Sequence, residues 1–206
     1  MYTRGFFVTL YKFKATGYNI NMNVSELFKQ QNFENIKDEY LKWSAILEQD
    51  ITFSLKNSKD HTKEHSKRVL LFSLLMSEKL GLSYFDRETL CIASIFHDTR
   101  RQNDWLDVGH GYQAAKYYKQ FCKDNNLDFN KSVFIIMAYH DVEDDTAIVD
   151  IDKFQIQNAT MLYRVFKDSD ALDRFRFGED NLELSMLRFQ ESKSLINFAR
   201  CLNLML

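Results

Sequence analysis

Residues 65–76, which read HSKRVLLFSLLM, carry apolar side chains at the spacing of a helix. Val69, Phe72 and Met76 are three and four residues apart and so share one face, and His65 lies one turn earlier on that face. The same spacing recurs from residue 25 onward, which predicts about seven helices. The polar connectors between them are predicted at 57–60, 81–86, 102–109, 123–130, 141–152 and 178–180. The chain has no proline and only 6 glycines, which also favours a single all-α domain, a helical bundle.

The first 21 residues differ from the rest. Residues 6–11 resemble a short strand, but they are too few for the apolar core of a secretory signal. We therefore divide the chain into a short non-helical N-terminal leader over 1–21, strand-like or flexible, and a helical domain over 22–206. The leader could also reflect translation that begins at Met22. Within the domain we expect Asp86 to cap a helix, Gly178 to end one, and single helices over 159–177 and 182–206.

Composition limits the partners. The 27 Lys and Arg residues against 29 Asp and Glu give a net charge of -2, so we expect neither duplex nucleic acid nor an anionic membrane to be bound. No apolar run approaches the roughly 18 residues of a membrane span. Three cysteines without CxxC spacing favour reduced, buried thiols and a cytoplasmic location. The apolar residues 202–206 would suit either the core or a homo-oligomer interface.

Four of the five histidines extend the apolar face of a predicted helix near its end: His65, His97, His110 and His140. One such histidine is usually a hydrogen-bonded core residue. Four in one small core would leave several buried nitrogens unsatisfied unless a common cation bound them. Asp98 directly follows His97 and adds an oxygen ligand. Such mixed ligands suit Mn, Fe, Zn or Ni rather than Ca.

A later helix carries two further acidic candidates, Asp168 and Asp170. Each falls on a different apolar stripe of the predicted helix 159–177, so periodicity does not choose between them. Both could instead belong to a solvated acidic face, which is the usual place of a charge cluster.

The ordered motifs His65, His97-Asp98 and Asp170-Ala171-Leu172 resemble the H…HD…D signature of the HD-domain metal-dependent phosphohydrolase superfamily. The similarity spans residues 58–177. It implies an HD-type helical bundle in which His65, His97, Asp98 and Asp170 bind a divalent metal, one of Mn, Fe, Zn, Ni, Co or Mg. The family places a leucine two residues after its last aspartate, which selects Asp170 over Asp168.

The remaining histidines have alternative roles. His61 replaces His65 if the helix begins early, and is otherwise a substrate-side or surface group. His110 and His140 could bind a second metal, contact the substrate phosphate, or hydrogen-bond a metal ligand. The sequence does not decide whether the protein binds one metal ion or two.

The resemblance implies hydrolysis of a phosphate ester by a metal-activated water, with Asp98 as the central catalytic ligand. Arg100, Arg101 and Arg174 adjoin the motifs and could hold phosphate, although each could equally be a surface residue. Asp104 could orient the water or act as general acid or base, or cap the helix of His110. We expect a small nucleotide or related phosphate ester as substrate. The alternatives are a binuclear phosphodiesterase or di-iron oxygenase, and a non-catalytic binding or regulatory module.

Overall fold

The computed structural model describes the backbone of residues 33–204 and the side chains of residues 33–202. This part of the chain contains α-helices and short 3-10 turns but no strand, which confirms the all-α prediction. The predicted leader, 1–21, lies outside it. The helices are α1 (Lys37–Asp50), α2 (Lys63–Lys79), α3 (Tyr84–Phe96), α4 (His110–Asp124), α5 (Lys131–Ala138), α6 (Asp144–Asp152), α7 (Ala159–Leu172), α8 (Gln190–Ser194) and α9 (Ile196–Leu204).

Helix α2 is the centre of the bundle. Residues 69–77 are all buried, because α1, α3, α7 and α8 pack around this helix. The α2–α3 hairpin is the most extensive contact, and α4 pairs with α5 beside it. The hydroxyls of Ser94 on α3 and Ser73 on α2 are hydrogen-bonded over 3.0 Å, which links the two helices inside the core. The central position of α2 brings His65, near its first turn, into the interior.

The helix ends show one difference from the predicted caps, at the start of α3. Ser83, not Asp86, caps α3: its Oγ accepts from the Asp86 backbone nitrogen over 3.2 Å and donates to the Asp86 carboxylate over 2.9 Å. Thr62 caps α2, so the helix begins after His61. Gly178 has a φ of +122° and ends the 3-10 turn Asp173–Phe177, in agreement with the predicted stop.

The prediction of a polar connector over 141–152 is wrong for most of that range, because residues 144–152 form α6. Ala147 and Ile151 are one turn apart and both are buried, which anchors the helix to the core. Arg188 donates to both oxygens of Asp144 over 2.7 Å each, and this pairing holds the start of α6.

The two long helices predicted near the C-terminus are also shorter. Helix α7 ends at Leu172 and continues as the 3-10 turn, and the predicted helix over 182–206 is instead a 3-10 turn, Leu184–Met186, followed by α8 and α9. Leu182 and Leu187 are buried on either side of that turn, which pins this segment in a non-helical course.

The cysteines and the apolar character of the helices were also predicted from the sequence. Cys91, Cys122 and Cys201 are buried and carry free thiols, as the sequence indicated. Among the described helices, none has both the length and the apolar character needed to cross a membrane.

Candidate metal centre

Histidine and aspartate side chains from several helix ends meet at one point inside the bundle. His65 lies in the first turn of α2, His97 and Asp98 follow α3, and Asp170 lies in the last turn of α7. The side chains of His65 and His97 are 1% exposed and that of Asp98 is 3% exposed. Asp170 is 34% exposed, so the centre opens to solvent on its side.

Four atoms form what we call the first set: Nε2 of His65, Nε2 of His97, Oδ2 of Asp98 and Oδ1 of Asp170. The Nε2 of His65 lies 3.1 Å from that of His97, 3.4 Å from the Asp98 oxygen and 3.3 Å from the Asp170 oxygen. The His97 nitrogen lies 3.6 and 3.8 Å from these oxygens. Ligands bound about 2.1 Å from one ion lie about 3.0 to 3.5 Å apart, so the set has the size of a metal site.

The hydrogen bonds of the two imidazoles make this set rich in lone pairs. His65 Nδ1 donates to Asp173 Oδ2 over 2.7 Å, and His97 Nδ1 donates to the Ser94 carbonyl over 2.9 Å. In the neutral rings each Nε2 is therefore without hydrogen and faces two carboxylate oxygens. Four acceptors that converge in a buried space need a positive charge between them. The residues present therefore fit a divalent cation.

In the metal-free protein a proton supplies that charge. Burial and Arg176 act to lower the pKa of His65, but hydrogen bonds with Asp170, Asp173 and Asp98 raise it to about 10. Burial lowers the pKa of His97 to about 3. The carboxylates around His65 thus favour a proton on this imidazole, which a metal ion bound to the first set would displace.

Three atoms on the other side of Asp98 form a second set: Oδ1 of Asp98 and the Nε2 atoms of His110 and His140. The Asp98 oxygen lies 3.0 Å from the His110 nitrogen and 3.8 Å from the His140 nitrogen, and the two nitrogens are 3.0 Å apart. His110 Nδ1 donates to the Asp107 carbonyl over 2.5 Å, and His140 Nδ1 to the Met137 carbonyl over 2.7 Å. Asp98 therefore presents one oxygen to each set.

A close approach of α4 to the end of α5 brings His110 and His140 together. A side chain at Gly111 would place its Cβ 2.4 Å from the Met137 carbonyl oxygen and 2.6 Å from His140 Nδ1. The Asp141 side chain is 7% exposed, and its Oδ2 accepts from the Gly109 backbone nitrogen over 2.5 Å at the start of α4. The side chain of Asp141 thus belongs to the interior beside the second set, not to a solvated loop.

Arg101 lies against the second set and is 7% exposed. Its Nη1 is 3.1 Å from His110 Nε2 and 3.7 Å from Asp98 Oδ1. Its Nη2 donates to the Trp105 carbonyl over 2.6 Å, and its Nε to the Asn103 carbonyl over 3.3 Å. The guanidinium is therefore a fixed, buried cation at the base of loop 102–109.

His61 lies beside the first set, on the Oδ2 side of Asp98. Its Nδ1 is 2.6 Å from Asp98 Oδ2, and its ring lines a groove formed by residues 51–63. The Ser58 hydroxyl donates to the carboxylate of Asp104 and accepts from the His61 backbone nitrogen over 2.7 Å. The structure therefore places Asp104 as a support of the His61 loop, outside both sets and not at the start of α4.

Two of the arginines suggested by sequence lie away from the centre. The Arg100 guanidinium stacks 3.3 Å from the Tyr117 ring centre and donates to the Thr52 carbonyl over 2.7 Å. Arg174 is exposed, and its Nε donates to the Asn181 carbonyl over 2.8 Å. Adjacency in sequence misleads here, because the turn after α3 and the 3-10 turn after α7 direct both side chains outward.

Asp168 is also separate from the centre. It is fully buried and accepts from Arg188 Nη1 over 2.8 Å and from Ser192 Oγ over 2.7 Å. Its role is to tie the C-terminal segment to α7.

Sequence reasoning missed a buried ionic group behind His65. Asp173 is fully buried and binds His65, Arg68 and Arg176, the last through Nη1 over 3.2 Å. Asp173 follows Asp170 by three residues, and Arg68 follows His65 by three, so one-turn spacing from each ligand was the available signal. The group fixes the orientation of the His65 ring.

Comparison with known proteins identifies the family of the chain. The HD domain model matches residues 62–175, more than half of the chain and a range that contains both sets. No significant match was found among curated proteins or solved structures. The chain therefore belongs to the HD-domain family, within the superfamily of metal-dependent phosphohydrolases.

Proposed function

We propose that this protein is a metal-dependent phosphohydrolase that acts on a small nucleotide or related phosphate ester. The observation that carries the proposal is the first set, in which His65, His97, Asp98 and Asp170 direct four lone pairs to one buried point. A divalent cation bound there would lower the pKa of a water ligand toward neutrality and polarise a phosphoryl oxygen.

The protein's own residues would orient the substrate. Asp170 is the exposed member of the first set, so the substrate would approach from its side. His61 lies between the groove and Asp98, and its contact with Asp98 through Nδ1 leaves Nε2 for a hydrogen bond with a substrate oxygen. His65 and His97 are held by Asp173 and by the Ser94 carbonyl, which keeps their Nε2 atoms directed at the ion.

The groove beside His61 supports a small substrate. It is lined by apolar residues such as Phe53 and by the polar residues Ser58 and Lys63. Such a groove next to the first set leaves room for the organic part of a small phosphate ester, such as a nucleotide. The net charge of -2 does not favour a duplex nucleic acid.

The test is hydrolysis of a panel of nucleoside mono-, di- and triphosphates and cyclic dinucleotides, with Mn²⁺ and with EDTA. We expect phosphate release or diester cleavage that requires the metal, and its loss in Asp98→Ala. Asp145→Asn, which removes an exposed carboxylate on α6, is the matched control and should hydrolyse like the wild type. No hydrolysis of any substrate with any divalent ion, together with no metal binding, would contradict the proposal.

A second candidate, a binuclear phosphodiesterase, is favoured by the second set. His110, His140 and Asp98 Oδ1 also converge as acceptors. If a second ion binds there, Mn²⁺-loaded wild type should hold about two ions and the double variant His110→Ala, His140→Ala about one. If the histidines instead act on the substrate, the count stays near one in both proteins and only hydrolysis falls.

A further inference from the structure

We propose that Arg101 is the resident cation of the second set and that its guanidinium keeps a second metal ion out. The inference rests on the proposed metal centre, and it makes this chain a one-metal member of its family. It assigns Arg101 the role of setting metal number, which differs from the role of a mobile phosphate clamp.

The first argument is the balance of donors and acceptors at the second set. The Nδ1 hydrogens of His110 and His140 are directed to backbone carbonyls, so neither neutral Nε2 carries a hydrogen. Asp98 Oδ1 is a third acceptor. Arg101 Nη1 lies 3.1 Å from His110 Nε2 and 3.4 Å from its Nδ1, so it rests against the imidazole ring, and it is 3.7 Å from the carboxylate oxygen. The guanidinium therefore places a permanent positive charge beside the three acceptors to which a second metal ion would bind.

The second argument is that Arg101 is fixed in this position. Its Nη2 and Nε are bound to the carbonyls of Trp105 and Asn103, so loop 102–109 closes around the guanidinium. Arginine stays charged at any pH the protein tolerates. Nη1 also lies 3.4 Å from His110 Nδ1, so it covers the edge of the imidazole. A divalent ion on His110 Nε2 would therefore bind against a permanent positive charge at close range.

The first set differs in this respect. The two arginines on the His65 side of it, Arg68 and Arg176, are paired with Asp173 behind the Nδ1 side of His65. They leave the Nε2 atoms of His65 and His97 to a metal ion. Asp98 is thus divided: Oδ2 faces the first set and His61, and Oδ1 faces His110 and the charge of Arg101.

The test is the metal content of Mn²⁺-loaded, desalted protein, measured by elemental analysis together with thermal unfolding. We expect about one ion per chain in the wild type and about two in Arg101→Gln and Arg101→Met, since each removes the charge. The matched control is Arg100→Gln, which removes the neighbouring arginine that stacks on Tyr117 and should stay near one. His110→Ala in the Arg101→Gln background should return the count to about one.

Other outcomes separate this inference from the proposed function. Two ions in the wild type, or one ion in folded Arg101→Gln and Arg101→Met, would overturn the role of Arg101 and leave the first set intact. No bound ion in the wild type would overturn the proposed function as well. If both Arg101 variants fail to fold, a Co²⁺ absorption titration decides: His110→Ala should saturate at the same single equivalent as the wild type, and a lower end point would overturn the inference.

Discussion

Asp168 and Asp170, two residues apart on α7, should separate the stability of the fold from the binding of metal. Asp168 accepts hydrogen bonds from the Arg188 side chain, from the Arg188 and Phe189 backbone nitrogens over 2.9 and 3.0 Å, and from Ser192. Removing one partner of a buried ion pair costs about 3 to 5 kcal/mol. Arg188 keeps its pairing with Asp144, so we expect Asp168→Ala to lower the free energy of unfolding by about 3 kcal/mol.

Asp170→Ala should have the opposite profile. Its side chain is 34% exposed and solvent screens its interaction with His65, so we expect the free energy of unfolding of the metal-free protein to fall by only about 1 kcal/mol. The lost oxygen is a ligand of the first set, however, and Mn²⁺ binding should be lost. Urea unfolding in EDTA, followed by circular dichroism, measures the first quantity, and calorimetric Mn²⁺ titration of the folded variants measures the second. Wild-type Mn²⁺ affinity in Asp170→Ala, with loss of binding in folded Asp168→Ala, would refute this assignment.

Four further predictions concern the centre and the leader. Asp98→Ala should lose both metal and hydrolysis yet keep a helical circular dichroism spectrum, and near-full activity would contradict the site. Asp173→Asn keeps an acceptor for His65 but not the charge, so calorimetry should show about tenfold weaker Mn²⁺ binding at the same stoichiometry; an unchanged affinity would argue against this support. The raised pKa of His65, about 10, stabilises the metal-free fold fully below about pH 6.5, so the Tm in EDTA should fall as the pH rises from 7 to 10, whereas a flat or rising Tm would contradict it. Translation from Met22 should leave folding and hydrolysis largely intact, and an insoluble product would show that residues 6–11 contribute to the core.

Helical periodicity was sufficient to predict the all-α fold class and the burial of the histidines. His65 and His97 extend apolar stripes of α2 and α3, and a stripe that reaches the end of a helix must enter the core with it. The helix at 144–152 was missed because acidic residues dominate its composition. The burial of Ala147 and Ile151 and the pairing of Asp144 with Arg188, 44 residues later, hold that segment as a helix.

Which candidate side chains reach the metal centre depends on tertiary contacts that helical periodicity cannot predict. Asp168 and Asp170 each continue an apolar stripe, and what distinguishes them is Arg188 on one side of α7 and His65 on the other. Arg100 and Arg101 are adjacent, yet one stacks on Tyr117 and the other is enclosed by loop carbonyls. The direction of a side chain after a helix end is set by tertiary contacts, so sequence adjacency to a motif is a weak guide to it.

The most direct test of the metal centre is an anomalous difference map from a crystal of the wild-type protein grown with Mn²⁺. We expect a peak about 2.1 Å from Nε2 of His65, Nε2 of His97, Oδ2 of Asp98 and Oδ1 of Asp170. Clear electron density for the four side chains, with no anomalous peak between them, would contradict the account.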